Sequence, residues 1–197
     1  MTAVQPPVRV AMTPGALRVR AAADRLFYKR GIHAVGVDLI AAEAGVTKKT
    51  IYDRFGSKEQ LVVEYLADRD ERWSARLSEA LERAPSDARH QVSAVFEAAA
   101  AWMAEDSPRG CSMINARAEI TDAEHPARAV IDGQKARMLA LFTDLAGRVA
   151  PDDADRLGRT LLLLHEGALV AHGLGLFPDP IRHAREAAEA LLGTADG

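Results

Sequence analysis

Residues 37 to 61 read VDLIAAEAGVTKKTIYDRFGSKEQL and determine the fold expected for the first part of the chain. A first helix is expected to stop at Gly45, since glycine adopts a positive φ at a helix end without steric cost. Its apolar residues share one face: Leu39, Ile40, Ala41 and Ala44. Thr47 can cap a second helix, which Ile51 and Phe55, four residues apart, would bury. Ser57 with Gln60 predicts the capping box of a third helix.

The second helix of this stretch leaves a polar face outward at its N-terminal end, formed by Lys48, Lys49, Thr50, Tyr52 and Asp53. A recognition helix offers these positions to the major groove of DNA. Two lysines in a first helical turn oppose the helix dipole, at about 0.3 to 1 kcal/mol each at low salt, and bound phosphates would offset that cost. The pattern predicts a DNA-binding helix-turn-helix over about residues 37–56.

The run from Ala41 to Leu61 fits the pattern AxxAGVTxxxxYxxFxSKxxL and resembles the DNA-binding domain of the TetR/AcrR-type transcriptional regulators. The resemblance is specific over about residues 14–65, and beyond them it depends on length and helical layout. It implies DNA contacts, with the Tyr52 hydroxyl on a phosphate, from Thr47, Lys48, Lys49, Thr50, Tyr52, Arg54 and Lys58.

The chain departs from the family where the first helix of the motif begins. The family often has Ser or Thr there, whereas this chain has Gly36, Val37 and Asp38. Asp38 suits a helix N-terminus but would repel a phosphate. The alternative is that its carboxylate accepts a hydrogen bond from a cytosine amine.

Composition and charge favour an all-α protein with two parts. The 197 residues are 48% hydrophobic and only 5% aromatic, and the chain is rich in Ala, Leu, Arg and Glu. Residues 1–60 carry ten Lys and Arg against five Asp and Glu, a net charge of +5, and the remainder carries a net charge of −8. The basic part is suited to a polyanion and the acidic part is not.

Helix-breaking residues predict about nine helices in a three-part layout. We expect a flexible arm over 1–13, a three-helix DNA-binding domain over 14–60, and a larger effector-binding and dimerisation domain over 61–197. Arg9 is either part of an irrelevant tail or a side chain that reaches a minor groove. The single cysteine excludes an internal disulfide. Without a signal peptide or a membrane segment, we expect a cytoplasmic protein.

The segment Thr160 to Phe177, TLLLLHEGALVAHGLGLF, is apolar nearly all round. His165, Glu166 and His172 argue against membrane insertion, so we expect burial between its own domain and a second subunit. The resemblance implies a four-helix dimer interface, here from about 153–176 and 180–192 of each subunit. The residues expected in this homodimer interface are Leu161, Leu164, Ala168, His172, Ala187 and Leu191.

The resemblance also implies an effector pocket, with core packing as the alternative explanation for its residues. We expect the wall to include Trp102, Met103, Met113, Asn115, Glu119, Phe142, His165 and Glu166. A few polar groups among apolar ones would orient a small, largely apolar molecule. His165 and His172 lie about 10 Å apart along a helix, too far to share a metal ion. We therefore expect neither a metal nor a cofactor.

Cys111 follows Pro108, Arg109 and Gly110 at a predicted helix start, where the dipole and Arg109 would favour its thiolate and its oxidation. A structural cysteine is the alternative.

The sequence contains no GxSxG, HExxH or phosphate-binding glycine loop, so we expect no enzyme; a thiol-dependent catalyst and an architectural DNA-binding protein are the remaining alternatives. The prediction is a homodimeric repressor that an effector releases from a pseudo-palindromic operator, with a redox-sensing regulator acting through Cys111 as a second interpretation.

Overall fold

The computed structural model describes residues 7–193, and this part of the chain is helical without strands. Its α-helices are α1 Pro14–Arg30, α2 Val37–Ala44, α3 Lys48–Phe55, α4 Lys58–Arg83, α5 Ala88–Glu105, α6 Ser112–Glu119, α7 Ala127–Gly147, α8 Ala154–Leu174 and α9 Pro180–Gly193. A 3-10 turn, Pro151–Asp153, precedes α8. The prediction of an all-α chain with about nine helices is confirmed for the described residues.

The chain divides into two compact units that differ from the sequence-based domains. The first unit comprises the residues up to Glu71 together with Ser112–Gln134, and the second comprises Arg72–Cys111 and the residues from Lys135 onward. Helix α6, which the sequence placed in the C-terminal domain, therefore belongs to the same unit as the helix-turn-helix. Helices α4 and α7 each contribute residues to both units.

The local signals of the helix-turn-helix are found in the structure of the first unit. The Thr13 side chain caps α1 by accepting a hydrogen bond from Ala16 N at 3.3 Å, and the Thr47 side chain caps α3 by accepting from Thr50 N at 3.1 Å. Gly45 has the left-handed conformation with φ +65° at the end of α2. Val19, Ile40 and other apolar residues are buried between α1, α2 and α3. The predicted stop of α2 at Gly45 and the predicted cap of α3 at Thr47 are thus confirmed.

The N-terminal arm is a correction to the sequence analysis, as far as the described residues show it. Arg9 Nε donates to Glu64 Oε2 at 2.8 Å, Val10 N donates to Glu64 Oε1 at 2.6 Å, and Gln60 Nε2 donates to Val8 O at 2.8 Å. Glu64 is fully buried, so these donors satisfy a carboxylate that water cannot reach. Residues 8–10 are therefore attached to α4, and the Arg9 side chain is paired with Glu64. Residues 1–6 of the expected arm lie outside the described residues.

The same contacts change the capping box at the start of α4. Gln60 N donates to Ser57 Oγ at 3.1 Å, as the sequence predicts. The Gln60 amide, which a capping box turns back to the helix start, instead donates to Val8 O and to Glu64 Oε1. The hydrogen bond from Gln60 N to Ser57 is therefore present, whereas the Gln60 side chain binds the N-terminal arm and does not complete the capping box.

The second unit has one apolar core, in which α9 packs against α5 and α8. Helices α7 and α8 approach closely at Gly158, where an added Cβ would lie 2.7 Å from Thr143 Cα and 2.9 Å from Thr143 N. The core residues include Trp73, Val92, Val95, Phe96, Trp102, Met103, Phe142, Leu145, Leu157, Leu161, Leu169 and Leu192. No helix among residues 7–193 is both long and apolar enough to cross a membrane.

Helix α8 corrects part of the expected dimer interface. Leu161 and Ala168 are buried in the core of their own unit, Leu164 and Leu191 pack against that core, His172 is half-buried and Ala187 is exposed. On the outer side of α8, Leu163 is 73% exposed, Val170 42% and Leu174 66%. The core of the chain itself therefore covers Leu161 and Ala168, and the exposed apolar residues of α8 lie on a different face of the helix.

Candidate nucleic-acid interface

Helix α3 separates its apolar and polar residues cleanly between two faces. Ile51 and Phe55 are buried in the first unit. Lys48, Lys49, Tyr52 and Arg54 are exposed, and the Tyr52 side chain retains 42% of its accessible surface. Thr47 and Thr50 are exposed too, although their hydroxyl oxygens lie 2.8 Å apart in a mutual hydrogen bond beside the helix start. This face has the composition that a recognition helix presents to DNA.

Acidic side chains balance the two lysines that oppose the dipole of α3. Lys48 Nζ donates to Asp38 Oδ2 at 3.0 Å, and Lys49 Nζ donates to Asp53 Oδ2 at 2.5 Å. The hydrogen bond to Asp38 and its charge raise the pKa of Lys48 above its ordinary value. Exposed ion pairs of this kind contribute little net energy, so a phosphate can replace either acid. Asp38, in the first turn of α2, is thus paired with Lys48, in the first turn of α3.

The backbone of the segment between α1 and α2 orients Lys58. Its Nζ donates to Ile32 O at 2.6 Å and lies 6.0 Å from the centroid of the Phe27 ring. The side chain is only half-exposed, unlike the lysines of α3. Lys58 therefore joins the first turn of α4 to the segment between α1 and α2, and one of its three N–H donors is already used.

A recess of about 200 Å³ lies where the first turn of α1 meets α3. Its wall residues are Thr13, Gly15, Ala16, Val19, Thr50, Asp53, Arg54 and Phe55. The recess brings the start of α1 beside Thr50 and Arg54, two residues expected to contact DNA. Thr13 and Gly15 were not among the residues expected from the sequence to contact DNA, although the Thr-Pro cap at the start of α1 was a visible signal.

Glu119, expected in the effector pocket, instead supports the turn that precedes the helix-turn-helix. Its Oε2 accepts a hydrogen bond from His33 N at 2.8 Å. The carboxylate also approaches Gly31, where an added Cβ would lie 3.1 Å from both carboxylate oxygens. Glu119 therefore connects α6 to the α1–α2 turn within the first unit. Of the other expected pocket residues on α6, Met113 is buried in this unit and Asn115 is exposed.

The remaining expected pocket residues lie together in the second unit. Trp102, Met103 and Phe142 belong to its apolar core, and the His165 ring centroid lies 5.7 Å from that of Phe142. Glu166 accepts from Lys135 Nζ at 2.7 Å and contacts His165 Nδ1 at 3.2 Å. Burial opposes ionisation of Glu166, but the hydrogen bond from His165 and the charge of Lys135 lower its pKa from 4.5 to about 2.

Cys111 lies beside the same ion pair. The Nζ of Lys135 donates to Cys111 Sγ at 3.5 Å. Burial lowers the pKa of Lys135, yet the nearby Cys111 and Glu166 raise it overall, so the ammonium stays charged. Arg109 was the cation expected beside Cys111, whereas Lys135, 24 residues away along the chain, was not predicted from the sequence. No group of side chains suited to hold a metal ion occurs in the described part of the chain.

Comparisons with known proteins agree with this geometry. Residues 19–65 match the model of the family described as bacterial regulatory proteins, tetR family. The crystal structure of SCO4454, a TetR-family transcriptional regulator from Streptomyces coelicolor, is 33% identical, covers 93% of this chain and 96% of its own, and superposes with a TM-score of 0.84. The chain belongs to the TetR family. Its fold and its homologues are those of DNA-binding transcriptional regulators and not of enzymes.

Two further similarities place this TetR-family chain among regulators. A putative TetR transcriptional regulator from Streptomyces avermitilis is 30% identical, with 90% of this chain and 99% of that chain covered and a TM-score of 0.71. The transcriptional activator FasR of Mycolicibacterium smegmatis is 36% identical over 86 residues, which are 44% of this chain. This match spans only 39% of FasR, so it concerns a part of that activator.

Proposed function

We propose that this TetR-family regulator is a homodimeric repressor that binds a pseudo-palindromic operator through α3 and leaves it when a small, largely apolar effector binds the second unit. The observation that carries the proposal is the polar face of α3. Ile51 and Phe55 fix the helix in the first unit, while Lys48, Lys49 and Tyr52 remain exposed.

The DNA contacts divide into two kinds on this face. Lysine ammonium groups and the Tyr52 hydroxyl suit phosphate oxygens, which determine affinity and its dependence on salt. Thr47, Thr50 and Arg54 are the candidates for base edges, together with Asp38, whose carboxylate can accept from a cytosine amine. In the free protein the acids Asp38 and Asp53 hold the two lysines, and phosphates would take their place in the complex.

Fluorescence anisotropy with duplexes selected from a random pool tests this function. We expect specific binding with a log–log salt slope of about −5 to −9, as for about 6 to 10 neutralised phosphates. Lys49→Ala should weaken binding and make the slope less steep by about one. Arg83→Ala is the matched control, since Arg83 and Glu79 form an exposed i,i+4 pair like that of Lys49 and Asp53. Equal effects of the two substitutions would contradict a role for α3.

The exposed face of α8 supports dimerisation. Leu163, Val170 and Leu174 follow one side of the helix, and Leu176 and Phe177 continue the exposed apolar surface beyond it. Exposed apolar side chains along one side of a helix are typical of a protein interface. A second copy that covers it would also pair two recognition helices for successive major grooves, about 34 to 36 Å apart.

Sedimentation tests the dimer. We expect a dimer at micromolar concentration for the wild type and a monomer for the double substitution Leu163→Glu and Leu174→Glu. Leu17→Glu is the control, because Leu17 is an exposed leucine of α1 outside this face. A wild-type monomer would remove the dimer from the proposal, and so would a double variant that stays dimeric.

Release by an effector is supported by the buried aromatic and charged residues of the second unit. To change the bound fraction from about 99% to about 1%, an effector must favour the released state by about 5.5 kcal/mol. A compound that binds the protein without altering operator affinity would contradict release. The sign of control is tested by transcription from the operator-bearing promoter, which a repressor lowers and an activator raises.

Redox sensing through Cys111 is a second candidate, favoured by the contact with Lys135. In this proposal the Cys111 thiolate, within reach of the Lys135 ammonium, attacks one oxygen of hydrogen peroxide. The O–O bond breaks, hydroxide leaves, and the sulfur is oxidised to a sulfenic acid. Peroxide should then release DNA from the wild type and not from Cys111→Ser. Release of both proteins to the same extent would eliminate this candidate.

A further inference from the structure

Two polar atoms in the core of the second unit are buried without a protein partner: Trp73 Nε1 and His165 Nε2. Trp73 is 8% exposed and His165 is 2% exposed, and their ring centroids lie 6.4 Å apart. Buried donors and acceptors in native proteins nearly always have partners, because an unpaired one loses its hydrogen bond to water. Two such atoms on neighbouring rings point to a bound molecule that supplies their missing hydrogen-bond partners.

Aromatic rings surround these two atoms. The His165 ring centroid lies 5.8 Å from that of Phe96 and 5.7 Å from that of Phe142, and Trp102 packs against Trp73 at 6.1 Å. Aromatic walls with a small number of polar groups are typical of small-molecule sites, in which the polar groups fix the orientation of the ligand.

The ion pair beside His165 decides which of the two atoms donates. Glu166 is ionised and can only accept, so Nδ1 of His165, 3.2 Å from the carboxylate, is the ring nitrogen that donates. The subsite uses the tautomer in which this is the ring's single N–H. His165 Nε2 then offers a lone pair. Trp73 Nε1 always donates. The cluster therefore presents one acceptor and one donor, with Lys135 holding Glu166 in place at 2.7 Å.

We propose that Trp73 and His165 form a subsite for the hydroxyl group of a small aromatic molecule, whose oxygen accepts from Trp73 and whose hydrogen is donated to His165. A hydroxyl group is complementary to both atoms, whereas an ether or a ketone only accepts and a hydrocarbon does neither. The inference rests on the proposed function, since the occupant would be the effector, and it adds the chemical class of that effector.

Isothermal titration with matched pairs of probes tests the subsite. The pairs are p-cresol with 4-methylanisole and 1-naphthol with 1-methoxynaphthalene, which share a ring system and differ in the O–H. We expect each hydroxyl compound to bind the wild type about tenfold more tightly than its ether, the factor that corresponds to one net hydrogen bond. Fluorescence of Trp73 and Trp102, the two tryptophans of the chain, provides a second readout.

Single substitutions separate the two hydrogen bonds. His165→Phe keeps an aromatic ring but removes the acceptor, so it should abolish the preference for hydroxyl over ether. Trp73→Phe removes the donor to an oxygen that both kinds of probe contain, so both should bind more weakly while the preference remains. His172→Phe, two turns further along α8 and half-buried, is the control and should change neither.

Three results would overturn the subsite: no probe binds the wild type at millimolar concentration, the ethers bind as tightly as the hydroxyl compounds, or His165→Phe retains the preference. The comparison of hydroxyl compounds with ethers on the wild type tests the subsite even if a variant fails to fold. Operator binding is measured on the same preparation. If the wild type binds its operator but does not prefer hydroxyl compounds to ethers, the subsite alone is refuted. If the wild type shows no specific DNA binding, the proposed function is refuted.

Discussion

Replacing Glu166 with Gln tests the charged cluster of the second unit quantitatively. The pKa of Glu166 falls from 4.5 to about 2 in the folded chain, because the hydrogen bond from His165 and the charge of Lys135 outweigh the effect of burial. At about 1.4 kcal/mol for each pKa unit, the ionised carboxylate contributes about 3 kcal/mol to the free energy of unfolding at pH 7. Gln keeps the shape and loses the charge, and it leaves the Lys135 ammonium without a counter-charge.

The pH dependence follows from the direction of this pKa shift. The unfolded carboxyl takes up its proton near pH 4.5 and the folded one only near pH 2. Below pH 4.5 the unfolded state therefore binds more protons, and the contribution of Glu166 is lost as the pH falls from about 4.5 towards 2. It is fully present above pH 4.5.

Urea unfolding of the wild type and of Glu166→Gln across this range is the assay. We expect the free energy of unfolding of the variant to be lower by about 3 kcal/mol at pH 7. This difference between the two proteins should decrease below pH 4.5. Glu79→Gln is the control, because Glu79 and Arg83 form an exposed pair and the change should cost less than about 1 kcal/mol. A Glu166 gap below 1 kcal/mol at pH 7, or one that does not change with pH, would refute the reasoning.

Three further predictions concern close packing, the α1–α2 turn and the N-terminal arm. Gly158→Ala should lower the free energy of unfolding by about 1 to 3 kcal/mol, because its Cβ would meet the Thr143 backbone. Gly147→Ala is the control in the same urea assay. Its Cβ would lie 3.4 Å from that of Ala154, so its effect should be near neutral. Glu119→Ala removes the acceptor of His33 N and should speed amide hydrogen exchange at the α1–α2 turn; unchanged exchange there would contradict its role. Glu64→Ala leaves Arg9 and Val10 N without their buried acceptor and should make residues 8–10 accessible to protease, with Glu71→Ala as the milder comparison.

The local parts of the fold were predictable because short-range signals specify them. Thr13, Gly45 and Thr47 act at helix ends through their own backbone and side chains, and the spacing of Ile51 and Phe55 fixes which face of α3 is buried. These interactions span a few residues, so the sequence contains all the necessary information.

The corrections concern contacts between residues that are distant in sequence. Glu64 contacts Arg9 across 55 residues, and Glu119 contacts His33 across 86. Glu64 interrupts the apolar run Leu61 to Leu66, and this lone acid was the available sign that a cation would meet it. Glu119 carried no comparable sign, since the association of α6 with the first unit depends on tertiary packing.

The face of α8 was misassigned for a related reason. An almost uniformly apolar helix has no polar stripe to mark its outer side, so Leu161 and Leu163 are equivalent in sequence terms. Packing against the core buries Leu161 completely and leaves Leu163 73% exposed. The helix neighbours α5, α7 and α9 decide this, and their arrangement is not readable from α8 alone.

Protection of guanine N7 from dimethyl sulfate along a selected operator duplex tests most directly whether α3 reads the major groove, because N7 faces that groove. We expect two protected patches about one helical turn apart or a multiple of it, one for each subunit, and loss of both with Tyr52→Ala. A single patch, protection that Tyr52→Ala leaves intact, or no protection of a duplex that the protein binds would contradict it.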